Sequence, residues 1–296
     1  MTGNFLTIDD LTAAELEAVL DRAERYKREG PPPALEGGTL AMIFEKPSTR
    51  TRVSFETGAT RLGGHAVFLG PDDIHLGHGE PIRDTARAVS RYVDAIMARL
   101  FDHADLEELG RYATVPVING LTDDAHPCQT LADLLTIRER VGGFDADVAW
   151  VGDANNVCRS LVLGAALVDL ELTVATPPAF TVEEAVLDRA ADLGRAPETT
   201  TDPAAAVEGA DVVYTDVWVS MGEEADRERK LAAFEAAGFR LTEALLDDQY
   251  VMHCLPAHRG EEITDAVIES DRAVVWAQAE NRLHAQNALL AHLLEG

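Results

Sequence analysis

The feature that most constrains the fold is an alternation of short apolar runs with amphipathic stretches of helical spacing, kept up along almost the whole chain. Runs at residues 40–44, 66–69, 95–97 and 115–118 read as strands, and helical patterns near 53–62, 83–92 and 106–112 lie between them. A second series has strand candidates at 148–151, 172–175, 212–215, 250–254 and 274–276, with helical patterns at 157–167 and 182–193. Ahead of both, Leu16, Val19, Leu20 and Ala23 recur at helical spacing, and that helix stops before Gly30 and three prolines. Strand and helix in alternation imply an α/β class of fold, with parallel sheets covered on both faces and ligands held beyond the carboxyl ends of the strands. Residues 130–140 read as one long helix between the two series. The expected organisation is therefore two doubly wound parallel-sheet domains joined by long helices, divided near residue 135. A length of 296 residues suits two domains of ordinary size.

Composition narrows the function classes. Three cysteines, Cys128, Cys158 and Cys254, stand far apart and never in a C-x-x-C pair, which argues against a disulfide framework or a cysteine-rich zinc site. His75 and His78 are close together but lack further ligands nearby in sequence, so no metal is expected. No apolar run approaches the roughly 20 residues that span a bilayer. The segment after Met1 has no basic and then apolar pattern, and a cytoplasmic protein without a membrane partner is expected. Fifty-two acidic residues against 25 basic ones give a net charge of −27, scattered along the chain, which disfavours nucleic acid as a partner. Only three of the basic residues are lysines. Such a surface repels itself and is relieved where salt screens it, and it resembles proteins of salt-accumulating halophiles.

Chemistry concentrates where strands run into helices. After the strand at 40–44 come Glu45, Lys46, Pro47, Ser48, Thr49, Arg50, Thr51 and Arg52, with a helix beginning near Thr51. Hydroxyls, a forked guanidinium and the free N–H groups of a helix start make an anion site without a glycine-rich loop. The same residues also suit an ordinary N-cap with two exposed arginines. His126, Pro127, Cys128 and Gln129 open the long helix, with Pro127 fitted to its first turn. The turn Gly152-Asp153-Ala154-Asn155-Asn156 stands where a dinucleotide enzyme would carry G-x-G-x-x-G, but holds one of those glycines, so no nicotinamide or other cofactor is expected.

Glu45 to Arg52, followed by Ser54, Phe55 and Glu56, resembles the carbamoyl-phosphate motif of the aspartate and ornithine carbamoyltransferases. The resemblance extends in family order to His284. It implies that Ser48, Thr49, Arg50 and Thr51 grip the phosphate, and that Arg52 supports them. Arg99 matches the family arginine that touches carbamoyl phosphate. His126 and Gln129 match the H-P-x-Q donors to the carbamoyl carbonyl, which gains negative charge as an amine attacks. Asn156 inherits a contact to the amino-acid substrate, while Asn155 reads as a turn residue. Asp216, Ser220 and Met221 match the D-x-x-x-S-M-G segment of the ornithine branch, where a carboxylate can pair with the α-ammonium. His253-Cys254-Leu255-Pro256 has that branch's cysteine, which places Cys254 beside the reacting amine and, together with Leu255, against the carbamoyl phosphate. Arg282 matches the late arginine that returns to the phosphate pocket, so helix 279–296 is expected to pack on the domain of residues 1–135, which binds carbamoyl phosphate, while 136–278 binds L-ornithine.

The implied activity is transfer of the carbamoyl group of carbamoyl phosphate to the side-chain amine of L-ornithine, giving citrulline and phosphate in arginine metabolism. One departure is His75, where most of the family has glutamine in a loop that reaches a neighbouring subunit's site. Histidine can still donate one hydrogen bond there. The resemblance further implies a homo-oligomer, a trimer or a multiple of trimers. From the charge alone, folding and activity are expected to require roughly molar salt, where the Debye length falls to about 3 Å. Melting and activity followed from dilute buffer to several molar KCl check this, and full activity with unchanged melting in dilute buffer would refute it.

Overall fold

The computed structural model describes residues 3–73 and 79–295. His75 and His78 lie outside them. The chain divides into two compact units, one of Met1–Ala132 with Asn281–Gly296 and the other of Asp133–Glu280.

The first unit holds α1 (Ala13–Glu29), β1 (Thr39–Phe44), α2 (Thr49–Arg61), β2 (His65–Leu69), α3 (Ile82–Val89), β3 (Ala95–Arg99), α4 (His103–Tyr112) and β4 (Val117–Leu121). Its four strands are all parallel, in the order β2-β1-β3-β4. Central β1 and β3 are buried almost throughout, as near-continuous apolar runs in a parallel sheet must be, whereas edge strand β2 is half exposed. Ala41, Ile43, Ile96, Leu106 and Val117 pack into one cluster of its core. The α1 helix starts with a capping box between Thr12 and Glu15, which satisfies backbone donors that would otherwise lack partners.

The helices α5 (Pro127–Val141) and α11 (Val275–Glu295) each run across the division between units. The second unit continues with β5 (Asp147–Val151), α6 (Asn156–Leu167), β6 (Glu171–Ala175), α7 (Glu184–Leu193), β7 (Glu198–Thr200), α8 (Pro203–Val207), β8 (Val212–Thr215), α9 (Arg227–Ala236), β9 (Tyr250–His253) and α10 (Asp265–Ile268). Its five parallel strands take the order β7-β6-β5-β8-β9. Trp218 stacks on Phe234 and Phe234 meets Phe239 edge-on, filling one end of its core.

Two elements depart from the sequence reading. The run at 274–276 is not a strand: Ala273 makes an isolated bridge to Val251, and α11 begins at Val275. Val274 and Val275 are buried at the helix start while Trp276 is exposed, and a short apolar run cannot distinguish this from a strand. The polar edge strand β7, of sequence Glu-Thr-Thr, carries no apolar signal and was not expected. Among the described residues no helix is long and apolar enough to cross a membrane.

Both strand orders reverse direction at a central strand, between β1 and β3 in one sheet and between β5 and β8 in the other. Crevices form at such switch points because successive connections leave on opposite sides. The loops that follow β1, β3, β5 and β8 carry Ser48 to Thr51, the residues after Arg99, the 152–156 turn and Asp216.

Gly58 lets α2 and α11 approach closely, since a Cβ there would fall 2.2 Å from Asn287 Oδ1 and 3.6 Å from Leu283 Cδ1. Asn287 is buried, so it has little room to withdraw. Gly58→Val is expected to lower stability by about 2 kcal/mol or more, because overpacking outweighs any relief of glycine's flexibility. Thermal melting checks this, and an unchanged midpoint would show the contact to be slack.

Candidate active site

In the first unit the sequence brings cations to one place. Ser48 caps α2: its Oγ accepts from Thr51 N at 3.2 Å and donates to Thr51 Oγ1 at 3.1 Å. Thr49 is the first helical residue and is exposed, Arg50 is half-buried, and Thr51 is buried. Arg52 points elsewhere, with its guanidinium 3.7 Å from the centre of the Phe68 ring and an ion pair to Glu56, a supporting arrangement. Arg99 ends β3 at a register shift opposite β4, and its carbonyl accepts from Glu45 N. Glu45 in turn accepts from Phe101 N at 3.0 Å, and Lys46 pairs with Asp123 and lies over the Phe101 ring. These contacts tie together the loops that follow β1, β3 and β4.

The turn closed by Thr122 and Ala125 delivers His126 to the start of α5. Arg282, from α11, donates to Gln129 Oε1 at 2.6 Å and reaches Thr51 Oγ1 at 3.4 Å. The amide of Gln286, with its oxygen turned to Arg282, accepts from Nε at 3.0 Å, and its nitrogen donates to Ser54 Oγ at 2.7 Å. Burial, with the nearby charges of Arg282, Arg99 and Arg50, holds His126 well below its ordinary pKa near 6.5. His126 is therefore a neutral imidazole, suited to donate one hydrogen bond without bringing a fourth positive charge. Buried Cys128 is pushed up to about 12 by burial, partly opposed by Arg282, and donates to Asn119 O, so it stays a thiol. Arginines around a capped helix start suit a phosphate and the developing charge of an adjoining carbonyl.

The second unit gathers a carboxylate, a thiol and amides. Asn155 caps α6 through Oδ1, which accepts from Val157 N at 3.0 Å and Cys158 N at 3.1 Å. Its Nδ2 donates to Asp216 Oδ2 at 2.8 Å, so this residue orients Asp216 as well as shaping the turn. Sequence reasoning passed over that second task; the only signal for it was its place beside Asn156. The buried Asp216 accepts at its other oxygen from Cys254 Sγ at 3.0 Å. A thiol that already donates to a carboxylate presents its sulfur as an acceptor.

Behind this pair, Tyr214 donates to Asp133 Oδ2 at 3.0 Å, Gln278 donates to Asp133 Oδ1 at 2.7 Å, and Gln278 accepts from His253 N. Burial, with the Asp133 carboxylate next, pushes the Tyr214 phenol well above its usual range, so it remains a donor. His253 offers a ligand atom near those of Asp216 and Cys254. However, its Nδ1 accepts from Leu255 N at 2.9 Å, which leaves Nε2 to donate to Glu262 Oε1 at 3.1 Å. Both ring nitrogens are thus engaged in shaping the turn, where Leu255 adopts a φ of 61°, strained for a branched side chain. Asn156 and Ser220 are half-buried and Met221 is exposed. Leu255 lies in this second unit, while the other candidate phosphate contacts, His75 and Cys254 aside, lie in the first.

Because the fold holds His126 neutral, the unfolded chain takes up a proton near pH 6.5 that the folded chain refuses. Its contribution to stability is full above that pH and is lost as pH falls toward the depressed folded value. Melting of the wild type is therefore expected to decline below pH 6.5 more steeply than that of His126→Gln. Parallel slopes would show that His126 accepts a proton in the fold.

Residues 3–139 match the aspartate/ornithine carbamoyltransferase carbamoyl-P binding domain, and residues 145–293 match the Asp/Orn binding domain of the same family. An ornithine carbamoyltransferase of Haloquadratum walsbyi is 62% identical, over 99% of this chain and 98% of that protein. The structure of ornithine carbamoyltransferase from Pyrococcus furiosus superposes with a TM-score of 0.94 at 50% identity, covering 100% of this chain and 98% of that one. A structure of an N-acetyl-L-ornithine transcarbamylase is more distant, at 33% identity and a TM-score of 0.87, covering 98% of this chain and 99% of that one. With both halves matched in order and at such identity, the chain belongs to the aspartate/ornithine carbamoyltransferase family.

Proposed function

We propose that this chain is an ornithine carbamoyltransferase in which the residues singled out above carry the reaction. The observation that carries the reading is the buried Asp216 carboxylate, held by Asn155 and Cys254 in a segment that continues to Ser220 and Met221. A cationic amino acid needs such an acceptor, and a dicarboxylate would be repelled by it. Identity of 62% to an ornithine carbamoyltransferase supports the same acceptor.

Ser48, Thr49, Arg50, Thr51, Arg99 and Arg282 bind the phosphate of carbamoyl phosphate, and neutral His126 and Gln129 donate to the carbamoyl carbonyl. Leu255 adds a contact on the same substrate. Asn156, Asp216, Ser220 and Met221 hold the amino-acid end of L-ornithine. The side-chain amine, which ionises near pH 10 in water, must lose a proton before it can attack. Sulfur of Cys254 accepts a hydrogen bond from that amine, and no covalent enzyme intermediate forms. The nitrogen lone pair adds to the carbonyl carbon and negative charge moves to the carbonyl oxygen, where the arginines and His126 stabilise it. Collapse breaks the carbon–oxygen bond to phosphate, and the departing phosphate takes the remaining proton from nitrogen, leaving citrulline. Positioning and charge stabilisation account for the catalysis, without a cofactor.

The protein works in the cytoplasm as a trimer or a multiple of trimers, and the loop that holds His75 completes a neighbour's site. In support, edge strand β2 and Val53 on α2 leave apolar side chains exposed, as a face between copies would.

Purified protein in molar KCl is expected to form citrulline from ornithine and carbamoyl phosphate, and equal or faster turnover of aspartate or N-acetyl-ornithine would sink the reading. Asp216→Asn is expected to raise the ornithine KM by about tenfold or more while changing that for carbamoyl phosphate little, since the lost charge faces only the amino acid. Equal changes for both substrates would move Asp216 out of the ornithine pocket.

A further inference from the structure

Lys230 is one of three lysines in the chain, and it is buried on α9. Its ammonium donates to Asp153 Oδ2 at 2.8 Å and to Glu223 Oε2 at 2.6 Å. The same Glu223 oxygen accepts from the backbone N–H of Ser220 at 2.9 Å, and Glu223 N donates back to Ser220 O at 3.0 Å. Asp153 belongs to the 152–156 turn, and its carbonyl accepts from Trp150 Nε1 at 3.0 Å. One ammonium therefore joins two loops, the turn that presents Asn155 and Asn156 and the 220–222 segment.

The 220–222 segment lies toward the surface. Met221 is 45% exposed, Ser220 is half-buried, and Gly222 has a φ of 102°, a conformation in which side chains are strained. Glu223 is partly exposed, whereas Asp153 and Lys230 are enclosed. The fixed end of the bridge is thus the buried pair, and the segment hangs from it through the Glu223 carboxylate. Burial pushes the Asp153 carboxyl up to about 6 against the pull of Lys230, so the carboxylate form still predominates at neutral pH. A buried ammonium deprived of both carboxylates would be strongly unfavourable, so the lysine and its partners hold one another in place.

We propose that Lys230 is a positioning residue for the amino-acid substrate, fixing the Ser220 and Met221 backbone against the 152–156 turn through Glu223 before the substrate arrives. A preformed loop does not have to be ordered by its ligand, so the free energy of binding is not spent on ordering it. The bridge acts on the ornithine half alone, and the proposal rests on the assignment of Ser220 and Met221 to that half.

Steady-state kinetics and melting of Glu223→Ala, Lys230→Met and Lys230→Arg test it, with Asp216→Asn measured in parallel. Glu223→Ala touches a partly exposed side chain and keeps the fold, so it reports even if Lys230→Met fails to fold. The expected result for Glu223→Ala and folded Lys230→Met is an ornithine KM raised about tenfold, with the carbamoyl phosphate KM within about twofold and kcat within about threefold. Lys230→Arg, which keeps the charge and two donors, is expected to recover most of the ornithine KM. A merely structural bridge would lower the melting temperature and leave the ornithine KM in place. If Asp216→Asn shifts the ornithine KM and Glu223→Ala does not, or if Glu223→Ala raises both KM values alike, the positioning role is overturned while the ornithine reading stands. If the wild type makes no citrulline, that reading falls, and the proposal with it.

Discussion

Parallel strands oblige the chain to cross over after each one, and a strand order that reverses at a central strand leaves a crevice that no connection covers. Both sheets have such a reversal. Most candidate groups then arrive at the carboxyl edge of a sheet by a short route: Ser48 four residues beyond the end of β1, Arg99 as the last residue of β3, Asn155 in the turn after β5, Asp216 directly after β8 and Cys254 directly after β9, while Arg282 comes from α11. Chemistry is confined to those edges because the strands themselves are needed as apolar core.

Burial at the edges sets the electrostatics. In the first unit, Arg99 and Arg282 are buried around a histidine that its own burial, and then their charges, keep neutral. Arg282 donates there to the Gln129 amide oxygen and reaches the Thr51 hydroxyl. In the second unit the Asp216 carboxylate is buried, with an amide and a thiol as its hydrogen-bond donors. A cationic ligand that supplies the missing charge is then favoured over a neutral one. The chain carries −27 overall, yet the anion site is cationic, so local placement and not net charge decides what each half attracts.

Much of the molecule was legible in order. The strands at 40–44, 148–151 and 172–175 could be read because parallel strands are apolar end to end, α5 because Pro127 suits a first helical turn, and α6 because residues 157–167 keep helical spacing. The polar strand β7 was not legible, because an edge strand of Glu-Thr-Thr is defined by its hydrogen bonds to β6 and not by its side chains. The run at 274–276 was misread for the opposite reason, apolar residues serving a helix that a strand neighbour happens to touch.

The sequence by itself determined the family, the α/β class and the identity of the candidate groups, since hydroxyls, guanidiniums, the Asp216 carboxylate and the Cys254 thiol are chemical facts of single residues in fixed local motifs. Only the tertiary structure decided how those groups are poised. That His126 is neutral depends first on its burial and then on three arginines brought from positions 282, 99 and 50. That Asn155 aims Asp216, and that Lys230 ties residue 153 to residue 223, depend on contacts 61 and 77 residues apart for Asp216 and Asp153, which no local pattern encodes. Protonation state and orientation are set by burial and by neighbours distant in sequence, and these exist only once the chain has folded.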